Sequence, residues 1–436
     1  MKKIAILLIL LAACTTINYE EHTDAGSKYV LDNGMIVLLK ENPDTGIIGI
    51  DLMLKNTIAT DGEKYGLGYF TNRLLLAGTE TRTKEQIVKE IEAKGGTIKT
   101  QTYDESNEII IEIPSDSFST ALEVLQDVIL HPTFPPEEIE KERTTLIGEL
   151  ESKKDDALVM SEELFMKTMY NGYPYQHPAD GYVETVKTIT REDIINHYKT
   201  WYAPNRIVLA IVGNIKEKPT IKAIEYLFKQ MKFTKTPDDG VFEMPARLEA
   251  KTAVQNMDTE SFYINYGHQL VPAIHPDFIK LRMANAILGA GSSSRLFYEL
   301  RDKRALAYRV YSITPSTRST GFVKTVMMTG PSTLNASVDG IKEQIELLKT
   351  QDVPEDEMKW TKQKIRGYFF LDHQRTIDQA NYLGLYEMQG YGYHYDVEYP
   401  EKLNEVTAPE VKYAANTYFN NPVIAIIGPF EAGKIE

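Results

Sequence analysis

The sequence predicts an α+β fold made of two tandem, homologous halves. Three observations predict it. The chain has 436 residues, too many for one ordinary core. Strand-like runs alternate with segments that are apolar at helical spacing, in both halves of the chain. One order of segments also occurs twice. Residues 190–202 precede the apolar run Ile207–Gly213, and about half a chain later residues 407–419 precede Val423–Gly428. Pro136-Glu-Glu-Ile139 is likewise echoed from Pro354 to Met358, and each opens a helical stretch. A repeat of that length marks duplication of a domain, not a solenoid.

The elements follow in order. Two apolar runs within 28–40 flank Asn33-Gly34, the strongest short hairpin signal. A strand is expected around 46–54, and a helix over 67–76 that ends at Ala77-Gly78. Residues 84–93 read as an amphipathic helix closed by Gly95-Gly96, and 97–114 alternate like a pair of strands. Residues 118–130 are apolar at helical spacing, and His131-Pro132 stops them. From Pro136 to about Tyr170 the sequence reads as one long helix, with Pro at its start and Glu in its first turns. The halves are assigned to 28–225 and 251–436, joined by a polar linker over 226–250.

The N-terminus has its own logic. Met1-Lys2-Lys3 is followed by a short apolar run and then Leu11-Ala12-Ala13-Cys14. That run is a secretory signal, too short to span a bilayer comfortably. Its end resembles the bacterial lipobox, which implies cleavage before Cys14 and acylation of its sulfur. Several acyl chains give stable anchoring where one would not. Residues 1–14 are therefore read as leader and lipobox and 15–27 as a tether. The expected location is the cell envelope, facing the periplasm or the exterior. Thr15 after the cysteine leans toward outer-membrane sorting if the host has an outer membrane. An ordinary signal peptide with an incidental Cys is the alternative.

Composition and motifs exclude several classes. The formal charge of -14 argues against a general nucleic-acid binder. Cys14 is the sole cysteine, so no intramolecular disulfide forms. None of the eight histidines is spaced i, i+4 from another, and no Gly-x-Ser-x-Gly occurs. The run from Gly289 to Ser294 lacks the Lys of a phosphate loop and reads as a turn between helices. His177, among Tyr and Pro, reads as part of a loop.

Several segments, in order, resemble the M16 (pitrilysin/insulinase-like) metallopeptidase family across the mature chain. They are Leu31-Asp-Asn-Gly-Met-Ile-Val37; Gly66-Leu67-Gly68 through Gly78-Thr79-Glu80; Tyr202-Ala-Pro-Asn205 to Gly213-Asn214; and Ser294-Arg295-Leu296-Phe297 through Tyr308. The resemblance implies two α/β-sandwich halves that form one half of a closed chamber. The family's signature is His-x-x-Glu-His on a helix. His at i and i+4 share one helical face and grip zinc, and the Glu between them acts as general base on the bound water. Here Tyr69 stands for the first His, Asn72 for the base and Arg73 for the second His. Asn takes up no proton near neutrality, and Arg carries a fixed charge that repels zinc. Glu149 matches the family's distant third ligand and is read as vestigial. It is either a lone carboxylate or the salt-bridge partner of Arg73.

The second half keeps a different part of the machinery. The segment 294–308 resembles the family's Arg/Tyr motif, with Arg301 and Tyr308 at its key positions. In the family this pair binds the substrate backbone and stabilises charge on the scissile carbonyl, which suits a forked cation and a hydroxyl donor. The competing structural reading pairs Arg301 with a carboxylate and packs Tyr308 into a core. The resemblance implies a non-catalytic subunit that binds no cofactor itself. Zinc would lie in a partner M16 subunit with intact His-x-x-Glu-His, acting on short or unfolded peptides. The alternatives are an inactive M16-like scaffold or peptide-binding lipoprotein, and an independent enzyme of unfamiliar chemistry.

Overall fold

The computed structural model describes residues 19–56, 58–237, 244 and 248–430. Cys14 and the leader lie outside the described residues.

Strands β1 (Tyr19–Thr23), β2 (Gly26–Val30), β3 (Ile36–Glu41), β4 (Ile47–Lys55), β5 (Thr97–Thr102), β6 (Ser106–Pro114) and β7 (Ile207–Gly213) form the first sheet, ordered β1-β2-β3-β7-β4-β6-β5. Strands β8 (Lys251–Asn256), β9 (Phe262–Leu270), β10 (Arg309–Ile313), β11 (Gly321–Thr329) and β12 (Val423–Gly428) form the second, ordered β10-β11-β9-β12-β8. Both are sheets backed by helices, as the α+β reading predicts, and each also contains one parallel pair, β3–β7 and β8–β12, where the sequence suggests antiparallel strands.

The repeat maps onto equivalent places. β7 runs parallel to β3 and antiparallel to β4, and β12 runs parallel to β8 and antiparallel to β9. Each is fully apolar because it is buried on both faces. Before each comes a helix opened by a capping box, Thr190 with Asp193 in one half and Thr407 with Glu410 in the other.

The Asn33-Gly34 hairpin forms, with β2 and β3 paired antiparallel from Val30↔Ile36. Gly34 takes a φ of 87°, and the Asn33 carboxamide accepts a 3.1 Å bond from the Met35 N–H.

Three boundaries differ from the sequence reading. The tether assigned to 15–27 gives way to structure from Tyr19 on, where β1 pairs antiparallel with β2. The run is polar because β1 is an exposed edge strand, not because it is unstructured. The long helix from Pro136 breaks into Pro136–Lys153 and Ala157–Met169. Asp156 causes the restart, since its carboxylate caps the Leu158 N–H at 2.9 Å and the Val159 N–H at 3.3 Å. The first half also extends past residue 225. The helix Glu217–Phe228 ends on Phe228, which is fully buried in the first core.

The two halves exchange helices. The crossing helix Ala157–Met169 of the first half packs on β12, β9 and β8 of the second sheet. Its counterpart Thr376–Gln389 of the second half packs on β4 and β7 of the first. Each contact has its own apolar core. Phe165 and Met169 meet Val423 and Ala425 in one. Ile377, Ala380 and Leu383 meet Leu38, Met53 and Val208 in the other. Glycines permit the close approach: a Cβ on Gly49 would lie 2.4 Å from the Ile377 backbone nitrogen, and one on Gly267 would lie 2.6 Å from Phe165 Cζ.

Candidate functional site

The helix Leu67–Leu74 carries the three replaced positions. Gly66, with a φ of 93°, turns the chain into it. Asp61 anchors its first turn by accepting from the Gly66 N–H at 2.9 Å and the Gly68 N–H at 2.8 Å. Burial outweighs these donors and pushes the Asp61 carboxyl up to about 7.

Arg73 fills the position of the second histidine with an ion-pair network. Its Nη1 donates to Glu149 Oε2 at 2.6 Å and its Nη2 to Glu149 Oε1 at 3.2 Å, a bidentate fork. Its Nε donates to Glu142 Oε1 at 2.5 Å, and Nη1 also reaches the Tyr69 hydroxyl at 3.2 Å. Burial works against the charge, but the Glu149 hydrogen bonds and the nearby Glu142 offset it, so the Arg73 pKa is raised. Of the two readings of Glu149, the salt bridge is the one that forms. Glu142 is a partner that sequence reasoning missed. Its signal was legible: Glu142 and Glu149 stand two turns apart on the helix Pro136–Lys153 and share a face.

Asn72 occupies the position of the general base and works as a brace. It is 1% exposed, and its amide donates to the Gln101 carbonyl at 2.8 Å and to Thr102 Oγ1 at 3.0 Å. The side chain therefore ties the helix to the end of β5. A phenol, an amide and a guanidinium already saturated with carboxylates do not fit a zinc ion. Truncating Arg73 should cost stability, because Glu149 would lose its bidentate partner and Glu142 would keep only Lys84, at 3.7 Å. Arg73→Ala is expected to lose ~1.5–3 kcal/mol, the range for hydrogen bonds to charged groups. A urea midpoint unchanged at constant m would reject this.

The Arg/Tyr segment is built differently. Arg301 lies in a π-helical turn, Phe297–Lys303, a rare geometry that recurs at functional sites. Ala305 follows at a φ of 52°, left-handed without being glycine, which costs ~1–2 kcal/mol. The other cations of the segment are neutralised. Arg295 pairs with Glu357 at 2.7 Å, Lys303 with Glu299 at 3.1 Å and Arg304 with Glu343 at 2.7 Å. Arg301 has no carboxylate partner among the described residues, and its guanidinium stacks 4.8 Å from the Phe297 ring centroid. Tyr308 is 64% exposed, and its hydroxyl has no hydrogen-bond partner among the described residues. The ion-paired and core-packed alternative for these two residues is not what forms. The π-turn and the strain at Ala305 have no sequence signal that periodicity could have found.

The other candidates take ordinary places. His177 stacks on Tyr65 at a centroid distance of 3.6 Å, in a loop as expected. Residues 289–294 form the turn between the helix Phe278–Leu288 and the Arg/Tyr segment.

Two family models match the chain: Insulinase (Peptidase family M16) over residues 37–180, and Peptidase M16 inactive domain over residues 188–365. The chain belongs to peptidase family M16. Over 405 residues it is 25% identical to the uncharacterized zinc protease YmxG of Bacillus subtilis, which covers 92% of this chain and 98% of that protein. An uncharacterized zinc protease of Rickettsia felis is 26% identical over 402 residues, 92% of this chain and 96% of that one. In solved structures the same M16 fold appears in a peptidase M16 inactive domain from Pseudomonas fluorescens, with a TM-score of 0.87 at 22% identity over 94% of this chain and 99% of that one. A protease from Helicobacter pylori gives 0.86 at 20% identity over 95% and 100%. Within M16 this chain is of the kind that lacks the zinc motif.

Proposed function

We propose that this protein is the non-catalytic, substrate-binding subunit of a heterodimeric M16 zinc metallopeptidase that degrades peptides or unfolded polypeptides. One contrast carries the reading. The zinc position is closed by the Arg73–Glu149–Glu142 network, whereas Arg301 and Tyr308 stand exposed and unpaired on a strained segment. Strain and uncompensated donors are retained where they do something. In this reading a partner subunit with intact His-x-x-Glu-His supplies zinc and the general base. Arg301 and Tyr308 reach its site, bind the peptide backbone and stabilise the oxyanion that develops on the scissile carbonyl.

The test compares zinc-dependent cleavage of a quenched peptide mixture by the chain alone and by the assembly it brings down from its host. Activity only in the assembly, lost to a chelator, is the expected result. No activity in an intact assembly with zinc available would leave an M16-like scaffold or peptide-binding lipoprotein instead.

We also place the protein on the envelope through acylated Cys14, facing the periplasm or exterior. Cys14→Ser is expected to move it from the membrane to the soluble fraction of lysed cells. Retention in the membrane pellet after a high-salt wash would rule the anchor out.

A further inference from the structure

Between the two halves lies a cavity of about 450 Å3. It is bounded by the β5–β6 turn, the turn around Ser316 to Arg318 and the crossing helix Thr376–Gln389. Its walls are apolar in part, with Met53, Leu385, Met388 and Pro315. Its charged lining is Asp104, Glu105 and Glu108 with one cation, Arg318, and Tyr103 beside them; Asp51 is not on the wall but stands behind Glu108 and Asn381.

These carboxylates are not alike. Glu105 is satisfied: it accepts from the Tyr175 hydroxyl at 2.9 Å and the Arg318 N–H at 2.8 Å, and the Arg318 side chain approaches to 3.5 Å. Arg318 is thereby engaged. Asp51 and Glu108 are 0% and 2% exposed, and no Lys or Arg pairs with either among the described residues. One amide serves both: Asn381 Nδ2 donates to Asp51 Oδ2 at 3.0 Å and lies 3.4 Å from Glu108 Oε2. Ser106 Oγ adds a bond of 2.8 Å to Glu108 Oε1. Asp51 Oδ1 has no partner at all among the described residues. A buried carboxylate left this way is costly unless a cation arrives or a proton is taken up.

We infer that this cavity binds an alkyl-linked guanidinium or ammonium group, with Glu108 on its wall as the contacting carboxylate and Asp51 behind it as further counter-charge. A long cationic side chain has the matching form, since its methylene stem lies along apolar walls while its head meets carboxylates. A hard metal ion suits the place less well. Among the described residues the one group of three metal-type ligands, Glu20, His22 and Glu217, lies elsewhere. The inference concerns this chain alone and does not depend on a partner subunit.

Proton linkage follows from the surroundings. Burial pushes Asp51 up to about 7 and Glu108 well above its ordinary value, and Asp104 up to about 6. The Asn381 hydrogen bond opposes this for Asp51, Lys99 on β5 opposes it for both from a distance, and the Asp51 charge raises Glu108 further. The facing crossing helix supplies Asp378 and Glu387 but no Lys or Arg. A cation entering the cavity therefore displaces protons, and its affinity rises with pH.

The experiment is titration calorimetry of the full chain with two probes, agmatine and the blocked pentapeptide Ala-Ala-Arg-Ala-Ala, at pH 5.5, 7 and 8. Saturable binding that tightens with pH and weakens about tenfold or more in Glu108→Gln is expected, from the loss of a charge-assisted contact. Tighter binding of the pentapeptide would identify a polypeptide side chain as the source, and tighter binding of agmatine a free amine. No saturable binding of either probe at pH 8 overturns the inference. So does unaltered affinity in a folded Glu108→Gln protein. Should that variant fail to fold, the pH series on the unaltered chain decides, and a pH-independent affinity overturns it.

Discussion

Replacing Tyr308 by Phe should lower the kcat of the proposed heterodimeric peptidase ~10²–10³-fold, the usual loss for one oxyanion-type donor. The ring stays and the hydroxyl goes. Because Tyr308 is 64% exposed and its hydroxyl has no partner among the described residues, this chain's own fold should not notice the change. Arg301→Ala removes a fixed charge and a fork of donors and should cost at least as much. It also releases only a stacking contact with Phe297. The two effects should be less than additive, since in the proposed reading both groups act on one developing charge. The measurement is steady-state turnover by assemblies shown by gel filtration to be intact. A drop in kcat with little change in KM is the expected signature. Unchanged turnover in both variants would remove the donor role and leave the strain at Ala305 without a function.

The largest structural effect is expected at Gly49→Val. Gly49 sits in β4 under the crossing helix Thr376–Gln389, and an added Cβ would lie 2.4 Å from Ile377 N and 2.5 Å from its Cα. These are backbone atoms and cannot swing aside. The helix must lift, which exposes Ile377, Ala380 and Leu383 together with the sheet residues beneath them. Overpacking commonly costs 1–3 kcal/mol, and partial loss of this contact adds to it, so a loss of ~3 kcal/mol or more is expected. Urea unfolding followed by circular dichroism measures it. Gly384→Ala tests the same contact more gently, since its added Cβ would meet Met53 Sδ at 2.6 Å, the far end of a flexible side chain. A Gly49→Val protein as stable as the unaltered one would mean that the helix is not docked there.

Much of this architecture was legible because its signals are local. Asn33-Gly34 specifies a turn by its own backbone preferences, and a Thr followed by an acidic residue three positions on marks a helix start in both halves. The Asp156 cap was equally local but sat inside a helical pattern, and the hydrophobic period ran across it. The helix exchange was of another kind. Periodicity shows that Ala157–Met169 and Thr376–Gln389 each have an apolar face, but it does not say which sheet covers that face. The degenerate zinc position could be read from residue chemistry alone. Its consequences, the Glu142 contact and the Asn72 brace on β5, needed the fold to bring distant segments together.

The helix exchange also fixes when the chain can finish folding. The face of the first sheet around Leu38, Met53 and Val208 is covered by residues 377–383, so it stays open until most of the polypeptide has been made. The first half cannot complete itself as it emerges, as an ordinary N-terminal domain does. Its central strand β7 is in place by residue 213, yet its second apolar face waits for a helix more than a hundred residues later. Until then it presents a sticky surface, and folding of the whole is governed by contacts of long sequence separation. The same arrangement means that a cut in the segment joining the halves would not free them. Each fragment would still hold a helix against the other's sheet.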